Sequence, residues 1–188
     1  MANNILFDLL APLYNRVATP RAPDKLIELL KLPCDGWLLD AGGGTGRVAS
    51  PLRDLVAGVV LSDLSHPMLV HAIAKDGLRA VQARAQRLPF ADASFARVLV
   101  VDALHHFGDQ KGAIGELLRV LQPGGRLVIE EPDIEHVVVK VIALIEKLAL
   151  MGSHMYKADE IDAMLHSYGV TAHIEKDDSH AVWVVVDK

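Results

Sequence analysis

The segment Trp37-Leu38-Leu39-Asp40-Ala41-Gly42-Gly43-Gly44-Thr45-Gly46-Arg47-Val48-Ala49 constrains this chain more than any other. An apolar run reaches an acid, then a turn dense in glycine, then a stretch of helical character. Glycine tolerates φ > 0 and carries no Cβ, so such a turn lets a ligand approach bare backbone, while the start of a following helix offers unpaired N–H groups. Strand, glycine turn and helix in that order open a nucleotide-binding α/β sheet.

The rest of the chain extends that unit. Short apolar runs alternate with amphipathic stretches, the pattern of parallel strands covered by helices on both faces. Helices are expected over 23–32, 46–55, 67–75 and 112–121, with Ser65 placed to cap the third. Strands are expected over 37–40, 58–61, 78–82, 95–101 and 126–130. Two last strands, 171–175 and 181–186, flank a short turn at Lys176-Asp177-Asp178-Ser179 and should be antiparallel. At 188 residues and 51% hydrophobic content, the chain reads as one domain over residues 1–188 with an aliphatic core.

A net charge of -5 argues against a nucleic-acid partner, which calls for a basic face. A single cysteine, Cys34, and an N-terminus without a basic-then-apolar leader point to the cytoplasm. The nearly apolar segment 137–151 is broken by Lys140, Glu146 and Lys147 and is too short to span a bilayer, which takes about 20 residues. It reads as a core helix, a homodimer contact or a cover for an apolar acceptor.

In open α/β sheets, ligands lie across the carboxyl ends of the strands where strand order reverses. Asp63 follows Gly44 by 19 residues at the tip of the second strand, where a carboxylate can accept both hydroxyls of a ribose. A dinucleotide fingerprint also pairs a glycine turn with a distant acid, but Arg47 holds its third glycine position. Asp40 ahead of the turn suits a ligand carrying an ammonium and no phosphates. A nicotinamide-dependent oxidoreductase is therefore the lesser alternative, beside a module that binds its cofactor without catalysing.

The residues resemble the class I S-adenosylmethionine-dependent methyltransferases, in the form of a methyltransferase type 11 domain. Asp40-Ala41-Gly42-Gly43-Gly44-Thr45-Gly46 looks like the first motif of that family, and Leu61-Ser62-Asp63-Leu64-Ser65-His66-Pro67-Met68-Leu69 like its second-strand motif. Leu88-Pro89-Phe90 with Ser94-Phe95, then Ala103-Leu104-His105-His106-Phe107, then Arg119-Val120-Leu121-Gln122-Pro123-Gly124-Gly125-Arg126 follow in the family's order. The opening Phe7-Asp8-Leu9-Leu10-Ala11-Pro12-Leu13-Tyr14-Asn15 is similar, over a shorter stretch, to the ubiquinone and menaquinone C-methyltransferases.

The resemblance implies a Rossmann-like, doubly wound, seven-stranded sheet, mostly parallel, with the last strand antiparallel and helices on both faces. It implies S-adenosylmethionine as cofactor and a small-molecule acceptor, quinone-like or phenolic; charge argues against nucleic acid, and no metal is expected. Asp40, Gly42, Gly43, Gly44 and Gly46 would face the methionine part, Asp63 the ribose, and Leu64 and Met68 the same cofactor. Arg84, Ala85 and Gln86 would lie beside the adenine, and Asp102 beyond the fourth strand. Tyr14 would belong to an N-terminal lid over residues 1–22, or pack on the first helix. Two positions depart from the pattern: Arg84 and Ala96 stand where the family often has acids. Arg84 cannot accept a hydrogen bond, so adenine contacts would fall to backbone or to Gln86.

Methyl transfer is an in-line displacement that needs alignment, exclusion of water and, for some acceptors, a base. Asp102, His105 and His106 are the candidates, with packing or capping as the other reading of the histidines. Glu130, Glu131 and Asp133 reach the same sheet edge, but their spacing is not that of a metal-ligand set. Glu130 and Glu131 read either as lining the acceptor pocket or as a solvated strand end.

Overall fold

The structure, a computed structural model, describes residues 23–134, 156–176 and 181–188. Helix α1 (Pro23–Leu29) precedes strand β1 (Trp37–Ala41), a 3₁₀ turn (Ser50–Leu55), β2 (Gly58–Asp63), α2 (His66–Ile73), β3 (Leu78–Gln82) and β4 (Phe95–Val101). A second 3₁₀ turn (Leu104–His106), α3 (Gln110–Val120), β5 (Leu121–Pro132), α4 (Ala158–His166), β6 (His173–Lys176) and β7 (Ala181–Asp187) follow. The strands form one sheet in the order β3-β2-β1-β4-β5-β7-β6. Pairings from β3 to β5 are parallel, while β7 runs antiparallel between β5 and β6. Strand order reverses between β1 and β4, so the crevice lies at their carboxyl ends.

Successive residues of a strand point to opposite faces, and the core divides accordingly. Val98 and Val100 of β4 pack with Ile114 and Leu117 of α3 and with Ile161 and Leu165 of α4. Leu99 and Val101 join Leu26 and Leu29 of α1, Leu52, and Leu69 and Ala72 of α2 on the other face. β7 splits the same way, Val182, Val184 and Val186 to one side and Trp183 and Val185 to the other. Helices thus cover both faces of a mostly parallel, seven-stranded Rossmann-like sheet. No helix among the described residues is long and apolar enough to cross a membrane.

The largest departure from the periodicity lies after the glycine turn. In place of a helix over 46–55, the chain runs through turns to a 3₁₀ helix at Ser50–Leu55. Gly46 takes φ 69°, outside the helical region, and Pro51 in the first turn has no N–H to continue a ladder. α4 went unread in the sequence, although Ala158, Ile161 and Leu165 bury one face at helical spacing. Its first turn is closed by Glu160, whose Oε2 accepts from the Lys157 N–H at 2.8 Å. Tyr14, the segment 137–151 and Asp177 to Ser179 of the last turn lie outside the described residues.

Candidate functional site

β1 ends by donating to β2: the Gly42 and Gly43 N–H groups reach Ser62 O at 2.7 and 3.3 Å. The turn then passes under the tip of β2, where Asp63 accepts from the Gly44 N–H through Oδ2 at 2.9 Å and from the Ser65 N–H through Oδ1 at 2.8 Å. One carboxylate therefore ties the glycine turn to the start of α2. Ser65 caps that helix as expected, its Oγ accepting from the Met68 N–H at 3.4 Å. Lys75 closes the far side by donating to Thr45 O at 2.8 Å.

Two glycines of the turn are required by geometry. Gly42 has φ 77°, and a Cβ there would stand 2.6 Å from Ala103 Cβ and 3.3 Å from the Phe107 ring. Gly44 has φ 52°, and a Cβ there would stand 3.2 Å from Met68 Sδ. Over this turn opens a crevice of about 200 Å³. Gly42, Gly43, Gly44, Asp63, Leu64 and Met68 line it on one side, Arg84, Ala85 and Gln86 at one end, and Asp102, Ala103, His106 and Phe107 opposite.

Asp40 and Gly46, placed at the site by sequence, stand behind it. Asp40 is 1% exposed and does not line the crevice; it lies beneath Gly43, where an added Cβ would come within 2.7 Å of its carboxylate. Its Oδ2 has no hydrogen-bond partner among the described residues. Burial, then the nearby Asp63 carboxylate, pushes its pKa up to about 7, with Arg47 opposing. Gly46 packs inward against Leu78 and Leu61.

His105, a candidate base, points away from the crevice. It is 2% exposed, and its Nδ1 lies 2.6 Å from Glu131 Oε2. Glu131 does not line the crevice and is 4% exposed, which overturns its reading as a solvated strand end: it is a buried anchor, its Oε1 accepting from the Ala103 and Leu104 N–H groups at 3.0 and 2.8 Å. Glu130 is likewise fully buried rather than at a solvated strand end, and does not line the crevice. Asp133 meets Lys176 at 3.2 Å, and among the described residues no three metal-ligating side chains gather.

His106 does face the crevice, its ring packed 3.9 Å from that of His105. Burial, then the charge of His105, pushes its pKa down to about 3, which makes it a neutral imidazole across the physiological range. Asp102 takes φ 53° at the tip of β4, a left-handed conformation that costs energy outside glycine and places it on the crevice wall. The Gln86 amide faces the Asp109 and Gly108 N–H groups, which assigns its oxygen to that side, accepting at 3.0 and 3.2 Å. That oxygen is committed to the fold and Arg84 has only donors, so among the described residues at this end of the crevice the backbone offers the acceptors for an adenine amino group. Sequence reading missed Ala103 and Phe107 as wall residues, although both stand in the motif after β4.

The family described as "Methyltransferase domain" matches residues 39–129, from the middle of β1 to the end of the parallel sheet. Residues 39–129 thus carry a methyltransferase domain, and the chain is similar to S-adenosylmethionine-dependent methyltransferases. It is 36% identical over 132 residues to a demethylmenaquinone methyltransferase of Thermus thermophilus, covering 66% of this chain and 60% of that protein. It is 35% identical over 120 residues to a 27-O-demethylrifamycin SV methyltransferase of Amycolatopsis mediterranei, covering 60% of this chain and 44% of that protein. The chain thus spans under two thirds of the length of either relative. Among solved structures, a SAM-dependent methyltransferase of Thermotoga maritima, titled a possible histamine N-methyltransferase, has the same fold. It superposes with a TM-score of 0.81 at 20% identity, covering 99% of each chain.

The methyltransferase cofactor fits this crevice on its own geometry. The bare backbone at Gly44, the carboxylate of Asp63 beside it, and an unpartnered buried carboxylate oxygen beneath the turn suit a cationic ligand bearing a ribose. Gly42 to Gly44 would hold its methionine part and Asp63 its ribose. Ala85 and the neighbouring backbone would hold its base.

Proposed function

We propose that this methyltransferase moves a methyl group from S-adenosylmethionine to a small-molecule acceptor, a quinone-like or phenolic compound, with residues 1–188 acting as one domain. The observation that carries the reading is Asp63, which braces the glycine turn and stands on the crevice beside Gly44, where a ribose would sit. The cofactor supplies an electrophilic methyl on a sulfonium; the protein supplies alignment and a water-poor wall. Asp102 and His106 face the crevice and are the groups able to meet a proton leaving the acceptor. His106, a weak base with its pKa near 3, serves better as a hydrogen-bond acceptor that orients a hydroxyl than as the final proton carrier. Asp102 is the stronger candidate for the base. The quinone-like acceptor is supported by the similarity to a demethylmenaquinone methyltransferase; the rifamycin relative favours a hydroxyl acceptor as the second reading.

The test is transfer of a radiolabelled methyl group from the cofactor to a panel of hydroquinones with an open ring carbon and of simple phenols. Label on ring carbon supports the first reading and label on oxygen the second. Binding of S-adenosylhomocysteine with no label moved to any acceptor supports a non-catalytic module. Binding of NAD without S-adenosylhomocysteine overturns the methyltransferase reading.

A further inference from the structure

Four successive residues, Asp102 and Ala103 on the crevice wall and Leu104 and His105 behind it, are anchored on two successive residues of β5. The Asp102 N–H donates to Glu130 O at 2.9 Å, and the Ala103 and Leu104 N–H groups both donate to Glu131 Oε1. The His105 ring completes the set on Glu131 Oε2. We propose that Glu131 is a positioning residue for the cofactor, holding the wall formed by Asp102, Ala103, His106 and Phe107 at its distance from the glycine turn. The inference rests on the cofactor reading above.

The wall's regular structure is three residues of 3₁₀ helix, and it begins at a left-handed Asp102, a conformation that persists only where the surroundings enforce it. N–H groups at the start of so short a helix need an outside acceptor, and a buried carboxylate provides the strongest kind. The wall meets the turn at Gly42, where Ala103 and Phe107 leave no room for a Cβ. A shift of a few tenths of an ångström there changes the width of the crevice. The His105 ring, held by Glu131, packs on the ring of His106 and so transmits the same anchor to a side chain that does line the crevice. Glu131 itself, 4% exposed, touches none of that space.

Calorimetric titration of the full chain with S-adenosylhomocysteine tests this. Glu131→Ala should weaken binding by roughly tenfold or more, because three donors lose a charged acceptor. Glu131→Gln retains an oxygen for the two N–H groups and an amide for the other tautomer of His105, and should recover binding to within about threefold. Val128→Ala, a cavity in the same strand, should lower Tm while leaving Kd within about twofold of wild type, which separates position from general stability. If Glu131→Ala does not fold, Glu131→Asp carries the test: it keeps the charge, loses the reach, and should weaken binding about fivefold. A Kd for Glu131→Ala, or failing that Glu131→Asp, no weaker than that of Val128→Ala overturns the proposal. Absence of binding by the wild-type chain overturns the cofactor reading itself, whereas wild-type binding with unchanged variants overturns only the wall.

Discussion

Asp40 and Glu131 are both carboxylates buried behind the crevice, one at the end of β1 and one at the end of β5, and their surroundings are opposite. Glu131 receives two backbone N–H groups and an imidazole, while Asp40 leaves one oxygen without a partner among the described residues and is pushed up to about 7. Buried polar groups need hydrogen-bond partners, and of the two carboxylates Glu131 has donors on both oxygens. A carboxylate met by donors behaves as a structural anchor, and one left without them behaves as a strained charge beneath a ligand site. The two walls of the crevice are therefore held by different means: the β5 side by a satisfied carboxylate, the glycine side by Asp63 in front with Asp40 unsatisfied behind.

The contrast is broken most severely at Glu131. Glu131→Ala should lower folding stability by about 3–5 kcal/mol, since it strands a buried imidazole and two N–H groups; denaturant titration measures this. A loss below about 1 kcal/mol would mean that water or a rearranged loop replaces the carboxylate. Asp63→Ala should weaken S-adenosylhomocysteine binding by about 1–3 kcal/mol, because the Gly44 and Ser65 N–H groups lose their acceptor along with the ribose. An unchanged Kd would place the ribose elsewhere.

At Asp40 the sign is reversed. Its folded pKa lies above the unfolded value, so its protonated form is favoured in the fold, and its contribution to stability is complete below about pH 4 and lost as pH rises through about 7. Asp40→Asn should thus stabilise the ligand-free protein at pH 8 and leave it unchanged below pH 4. Thermal melts across that range check it, and a uniform shift at all pH values would show that Asp40 is ionised throughout. The smallest effect is expected at His106, whose pKa is pushed down to about 3 by burial and then by His105. His106→Gln should leave the shape of the pH–rate profile between pH 5 and 8 unchanged, and loss of an inflection near 6.5 would identify His106 as the titrating base.

Much of this was legible in the chain. β3 and β4 fall at the boundaries read from periodicity, β4 because a buried parallel strand is a nearly continuous apolar run. Asp63 and the positive-φ glycines were legible because their demands are local: a short turn, a strand tip, an added Cβ that will not fit. The helix expected after the turn failed on a local conflict visible in Pro51, and α4 was overlooked although its apolar spacing is plain. His105 and His106 could not be told apart, since adjacent residues carry the same chemistry until packing sends one ring to Glu131 and the other to the crevice.

By itself, the sequence determined the sheet, its doubly wound class, the antiparallel last strand and the place of the glycine turn. These depend on hydrophobic periodicity and backbone freedom, which act over a few residues. Only the tertiary structure decided which carboxylates are anchored and which are strained. Glu131 lies 26 to 28 residues from the donors it meets, and a charge buried among donors differs from one buried without them only after distant strands are laid side by side.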